Sequence, residues 1–137
     1  MNRNVFQKLT NIRVREARAL IDAGHYPGAY YLAGYAVECA LKACVSKQVK
    51  RFDFPEKKFI NDAHTHELEK LVGLAGLASD FQRDMQVHKD LQVNWAVVKD
   101  WKESFRYDPS ITLQQARDIY SACTGRNGVL PWIKKRW

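Results

Sequence analysis

Five alanines constrain this chain more than any other feature. Ala29, Ala33, Ala36, Ala40 and Ala43 recur at steps of four, three, four and three, a spacing that places them on one side of an α-helix. That side is almost bare of side chain, so another helix can approach it closely. Tyr30, Val37 and Leu41 fill the adjacent sector, and Pro27 suits a first helical turn, where its missing N–H costs nothing. The stretch from Gly24 to Ala43 is therefore predicted to be a buried central helix.

With 137 residues, 46% of them hydrophobic, one domain around a single modest core is expected. No apolar run approaches the ~20 residues needed to span a bilayer. The N-terminal segment also lacks the apolar stretch of a signal peptide, so a cytoplasmic location with no membrane partner is expected. Cys39, Cys44 and Cys123 are odd in number and show no C-x-x-C spacing. They read as reduced core residues, with no disulfide, metal site or cofactor implied.

The 22 basic and 15 acidic residues give a formal charge of +7, which favours phosphate-rich partners at low salt without identifying one. The basic residues gather in three places: Arg3, Lys8, Arg13, Arg15 and Arg18; Lys47, Lys50, Arg51, Lys57 and Lys58; and Lys134, Lys135 and Arg136. Solvated faces and helix ends account for such clusters. Nothing interleaves basic with aromatic residues as a single-strand groove would.

The first helix is predicted from about Val5 to Ala23, with Phe6, Leu9, Ile12, Ala17 and Leu20 inward and Gly24 as its stop. The central helix continues to about Lys50. The stretch from Phe52 to Ala63 reads as a loop around Pro55, pinned by Phe52, Phe54 and Phe59. Thr65 is placed to cap the next helix, and Ser79 with Gln82 has the spacing of a capping box. Leu91, Val93, Trp95 and Val97 alternate as in a strand, but a lone strand would have no partner. An extended connector is the reading adopted there. Asp108-Pro109-Ser110 marks a turn and cap before a helix from about Leu113 to Cys123. Arg126-Asn127-Gly128 makes another turn before a short amphipathic end carrying Trp132, Ile133 and Trp137. The sum is an all-α, antiparallel up-and-down bundle of about five helices.

Gly24, Tyr26, Ala29, Tyr31, Ala33, Glu38, Leu41, Lys42 and Ala43 together resemble the second-helix pattern of the HEPN superfamily, small all-helical domains common in prokaryotes. His66-Glu67-Leu68 resembles the family's His-x-Leu helix start, and Trp101 to Arg106-Tyr107 resembles a Trp-x(4)-Arg-Tyr segment of one subgroup. The resemblance spans most of the chain. It implies a HEPN-like bundle and homodimers, with Trp132 and Trp137 as candidates for the dimer interface. It also implies a minimal nucleotidyltransferase as the first partner to suspect, in toxin–antitoxin or defence modules, beside RNA or a nucleotide.

Catalytic HEPN members are metal-independent ribonucleases with an Arg-x(4–6)-His signature, and Arg83-Asp84-Met85-Gln86-Val87-His88 fits it literally. Arginine can stabilise the charge of a phosphorane while histidine transfers protons near neutral pH. The string lies upstream of Trp101 to Tyr107, however, whereas the family's motif enters the helix after that region. On a continuous helix Arg83 and His88 would also stand ~140° apart, and His88 could instead face the core beside Phe81 and Met85.

A noncatalytic binding module is therefore the leading expectation, with an RNase using Arg83 and His88 second and a structural interaction module third. Arg106 and Tyr107 are candidates for phosphate or partner binding, together with Glu38 and Lys42. A buried Glu38 needs a partner: either Lys42 one turn on, or Arg106 or Arg13 across the bundle. His64 and His66 diverge too far for a metal pair and read as capping or loop-anchoring residues.

Overall fold

The alanine stripe is buried as its spacing requires. A computed structural model describes the backbone of residues 2–51 and 57–137, and the side chains of residues 2–49 and 57–137. Helix α2 spans Tyr26–Arg51, and Ala29, Ala33, Ala36, Ala40 and Ala43 are each exposed by 2% or less. Helix α1 (Arg3–Asp22) turns into it through Gly24, whose φ of 82° lies in the left-handed region that glycine adopts without strain. The two helices form the most extensive packing in the molecule. Arg3 at the start of α1 and Lys47 near the end of α2 donate to the main-chain oxygens of Trp137 and Arg136. The pair therefore runs antiparallel.

Of the five residues expected on the inward face of α1, Ala17 is fully buried, Phe6, Leu9 and Leu20 are half-buried, and Ile12 is 38% exposed. Thr10 is fully buried as well. The buried Thr10 hydroxyl donates to the Phe6 carbonyl at 2.9 Å, so it is satisfied inside its own helix.

The remaining elements are α3 (Lys57–Ala63), α4 (Leu68–Leu74), α5 (Ala78–Val87), α6 (Lys89–Val98), a 3-10 turn η1 (Glu103–Tyr107), α7 (Leu113–Thr124) and α8 (Val129–Lys134). Helix α7 packs on α2 and α6, and α4 packs on α2. The described residues contain no strand, and no helix among them is long and apolar enough to cross a membrane. There are more helical segments than the five or so expected, because Lys57–Ala63 and Lys89–Val98, read as loop and connector, are helical.

Several local expectations change. Lys57–Ala63 is helical rather than loop, with Phe59 partly buried against the core; Lys50 and Arg51 as side chains, and Phe52, Phe54 and Pro55, lie outside the described residues. Helix α5 begins at Ala78 behind Leu77, so Ser79 sits inside the first turn and forms no capping box. Thr65 accepts from the Glu67 N–H at 3.1 Å, which shapes the approach to α4 instead of capping it. The capping box that does form joins Thr112 and Gln115 at the start of α7.

The largest correction concerns residues 91–97, which form helix α6 and not an extended connector. Leu91, Trp95 and Val98 are buried at helical spacing, while Val93 is 63% and Val97 38% exposed. The alternating pattern was half surface, and the core takes the residues that share a helical face. Trp95 meets Phe81 edge-on at 4.9 Å, and Phe81 stacks on Trp132 at 4.4 Å. Trp132 is thus covered by its own chain, and its indole N–H donates to Asp84 at 2.8 Å. Trp137 is partly buried against the same core.

Candidate functional site

Glu38 is the one charged side chain among the described residues that the core encloses, at 1% exposure. A carboxylate in such a place costs several kcal/mol, on the order of a lost ion's hydration, unless it is paired and hydrogen-bonded. Lys42, one turn further along α2, brings its Nζ to 3.8 Å. The close partner is neither Arg106 nor Arg13 but His66, whose Nδ1–H donates to Glu38 Oε1. His66 lies in the link between α3 and α4, where Thr65 and Glu67 hold the backbone turn.

The imidazole carries the contact outward. Its Nε2 lies 3.3 Å from Glu103 Oε2, at the start of η1, and Glu103 Oε1 lies 3.4 Å from Arg106 Nη1. The Arg106 guanidinium sits 4.7 Å above the ring of Tyr107, and Tyr107 is 73% exposed. Lys42, Glu38, His66, Glu103 and Arg106 therefore form one continuous path from the core to an exposed Arg–Tyr pair.

Packing fixes the outer end of this path. Phe105 meets Tyr30 edge-on at 5.2 Å, and Trp101 stacks on Tyr31 at 5.8 Å. Trp101 also lies flat enough on α2 that a Cβ at Gly34 would fall 2.2 Å from its Cδ1. Glycine at that position is what lets the indole reach the helix backbone and hold η1 in place. Burial raises the Tyr31 phenol above its ordinary range, and Arg106 partly offsets that rise.

His66 separates two clefts. The larger, of about 590 Å³, lies between the start of α4 and the 99–103 segment and includes Lys99, Lys102, Glu67, Glu69, Asp100 and Glu103 in its lining. Four carboxylates against two lysines make it a poor seat for a polyanion. The smaller, of about 330 Å³, is floored by Tyr35, Glu38, Cys39 and Lys42 and closed by Phe59 and His64. Burial, with Cys39 and Glu38 adding to it, pushes the Tyr35 phenol up to about 12. Burial and then Glu38 push the Cys39 thiol up to about 11. Neither group is a ready nucleophile.

The Arg83 and His88 pair has a different setting. Arg83 is exposed and lies 3.3 Å from Asp80 and 3.6 Å from Asp84. His88 is exposed at the break between α5 and α6, away from the core position considered for it. No hydrogen bond or ion pair among the described residues links the two. Among the sequence candidates, Glu38, Lys42, Arg106 and Tyr107 are brought together, while Arg83, His88, Trp132 and Trp137 are not part of that group. His66 and Glu103 were the missed members. Their only sequence signals were a histidine two residues before a helical leucine, and a Glu-x-x-Arg spacing that suits a 3-10 turn.

Fold and site define an all-α domain organised around a buried carboxylate on its central helix. Comparison with known protein families, with curated proteins and with solved structures finds no match.

Proposed function

We propose that this chain is a noncatalytic HEPN-like interaction module that acts as a homodimer and docks a partner through Arg106 and Tyr107. The observation that carries this reading is the path from buried Glu38 through His66 and Glu103 to Arg106, since it spends a buried charge on positioning an exposed pair. Arginine and tyrosine are the residue types that concentrate binding energy at protein interfaces. The carboxylate-rich cleft beside them favours a protein partner over a nucleic acid at this surface. Within the HEPN reading that partner is a minimal nucleotidyltransferase, with a nucleotide or RNA as the other ligands of the module.

The RNase alternative requires Arg83 to leave Asp80 and Asp84 and to converge on a phosphate with His88, so it ranks second. The test is co-expression with a minimal nucleotidyltransferase, followed by light scattering of the purified complex. A dimer-based complex that is lost in Arg106→Ala and Tyr107→Ala supports the reading. A monomeric chain, or a complex indifferent to both changes, overturns it. Cleavage of an RNA pool in chelator that disappears in Arg83→Ala and His88→Ala would promote the RNase.

A further inference from the structure

Three basic clusters that are far apart in sequence meet at one corner of the molecule. Lys47 comes from the end of α2, Lys135 and Arg136 from beyond α8, and Arg3 from the start of α1. Lys47 donates to the Arg136 carbonyl at 3.2 Å, and Arg3 donates to the Trp137 carbonyl. Between α2 and the chain end lies a cleft of about 410 Å³, with Lys47, Lys135, Arg136 and Gln48 at its polar edge and Cys44 and Leu77 in its apolar floor. Unlike the two clefts beside His66 and one of about 330 Å³ where Arg18 and Arg117 are offset by Asp22, its lining has no carboxylate among the described residues.

Arg136 is held in place before any ligand arrives. Its guanidinium stacks 3.6 Å above the Trp132 ring, donates to the Trp132 carbonyl at 2.8 Å and bonds Asp84 at 3.1 Å. Asp84 screens part of that charge, which leaves Lys47, bonded to the Arg136 carbonyl, and Lys135, both exposed, as the cations that can close on an anion. Lys47, Arg3 and Arg136 also pull down a Cys44 thiol that burial pushes up to about 11, so their field reaches the cleft floor.

We infer that this corner is a binding site for a phosphomonoester carried on a small, partly apolar body. The phosphate sits between Lys47 and Lys135 against the fixed Arg136, and the apolar body lies on Cys44 and Leu77. Charge-assisted hydrogen bonds from separate strands of chain give such a group its affinity. The cleft's size is that of a small-molecule site rather than of an extended groove. This site lies apart from Arg106 and Tyr107, and it does not depend on the partner reading.

Calorimetric titration of the full chain with inorganic phosphate, AMP and adenosine tests it. Phosphate and AMP are expected to bind and adenosine to bind far more weakly. Lys47→Ala and Lys135→Ala should each weaken AMP about tenfold, the usual scale for one charge-assisted contact, and Arg117→Ala, at a different cleft, should leave it unchanged. Competition by a 5′-phosphorylated but not a 5′-hydroxyl oligoribonucleotide would identify an RNA end as the source of the phosphate; absence of competition would identify a free nucleotide. AMP binding no tighter than adenosine, or AMP binding that survives both lysine changes in variants with unaltered circular dichroism, overturns the site. Loss through Arg106→Ala alone would do so as well, by moving the ligand to the other surface.

Discussion

Gly34→Ala should destabilise the protein, although the same change in a helix interior normally stabilises by about 1 kcal/mol. The added Cβ would lie 2.2 Å from Trp101 Cδ1 and 2.3 Å from both Cγ and Nε1. Relief to an ordinary contact requires the indole to retreat by more than ~1 Å, the usual carbon–carbon separation being about 3.5 Å. Trp101 is 2% exposed and stacked on Tyr31, so a retreat from α2 gives up that packing. Overpacking of this kind costs about 3 kcal/mol at the upper end of its usual range, which leaves a net loss of about 2 kcal/mol after the helix gain. For a chain of this length that lowers Tm by roughly 6–10 °C. Thermal unfolding followed by circular dichroism, with tryptophan emission as a second probe, measures it. In a Trp101→Ala background the clash is gone, and Gly34→Ala should raise Tm. An unchanged or raised Tm in the single variant, or strict additivity in the pair, would refute the close approach of Trp101 to α2.

The buried carboxylate gives an ordered series. Among the described residues, His66→Ala leaves Glu38 with Lys42 alone, at 3.8 Å, and should cost about 3 kcal/mol in urea unfolding. Glu38→Gln keeps an acceptor for the ring and should cost less, and combining the two should recover part of the loss; equal, additive effects would contradict the pairing. Burial pushes the Cys39 and Cys44 thiols up to about 11 and the Cys123 thiol up to about 12. At pH 8 all three should stay unlabelled by a disulfide reagent until denaturant is added, and fast labelling of the folded protein would contradict their burial. The Trp132 indole N–H, followed by Arg83 and Arg136, holds the Asp84 carboxyl below its ordinary value of 3.8, against the opposing effect of desolvation. A carboxyl lowered by folding stabilises above its unfolded pKa, and that stability is lost as pH falls through the folded one. The Tm gap between wild type and Asp84→Asn should therefore be constant near neutrality and shrink as pH falls below about 4; a gap that widens there would contradict the assigned bond.

The central helix was legible because its signal is steric and local. Alanines at helical spacing leave a bare side, and a bare side has to be covered whatever the rest of the chain does. In α1 apolar spacing pointed to Ile12, but Thr10 is the buried residue, and it can be because its hydroxyl bonds to the Phe6 carbonyl. Residues 91–97 were misread for a related reason. Leu91, Val93, Trp95 and Val97 fit a two-residue period, whereas Leu91, Trp95 and Val98 fit a helical one, and it is the second set that is buried, with Trp95 meeting Phe81 at 4.9 Å.

The site was half legible. Glu38 stood out because an acid among alanines and tyrosines must find a partner, and that argument is sound without knowing which partner it finds. The partner itself is set by tertiary placement. His66 is 28 residues away in sequence and sits in a link whose course depends on how α3 and α4 pack, which no local spacing encodes. The corner formed by Lys47, Lys135 and Arg136 was hidden in the same way. Each cluster read alone looks like a solvated helix end, and a helix end is what each is. Their meaning changes only because α1 and α2 run antiparallel and α8 closes over their far end, so that three unremarkable charges share one cleft. In an all-helical chain this small, ends of elements are where charges collect for solubility, and the packing of those ends decides which of them acquire a ligand.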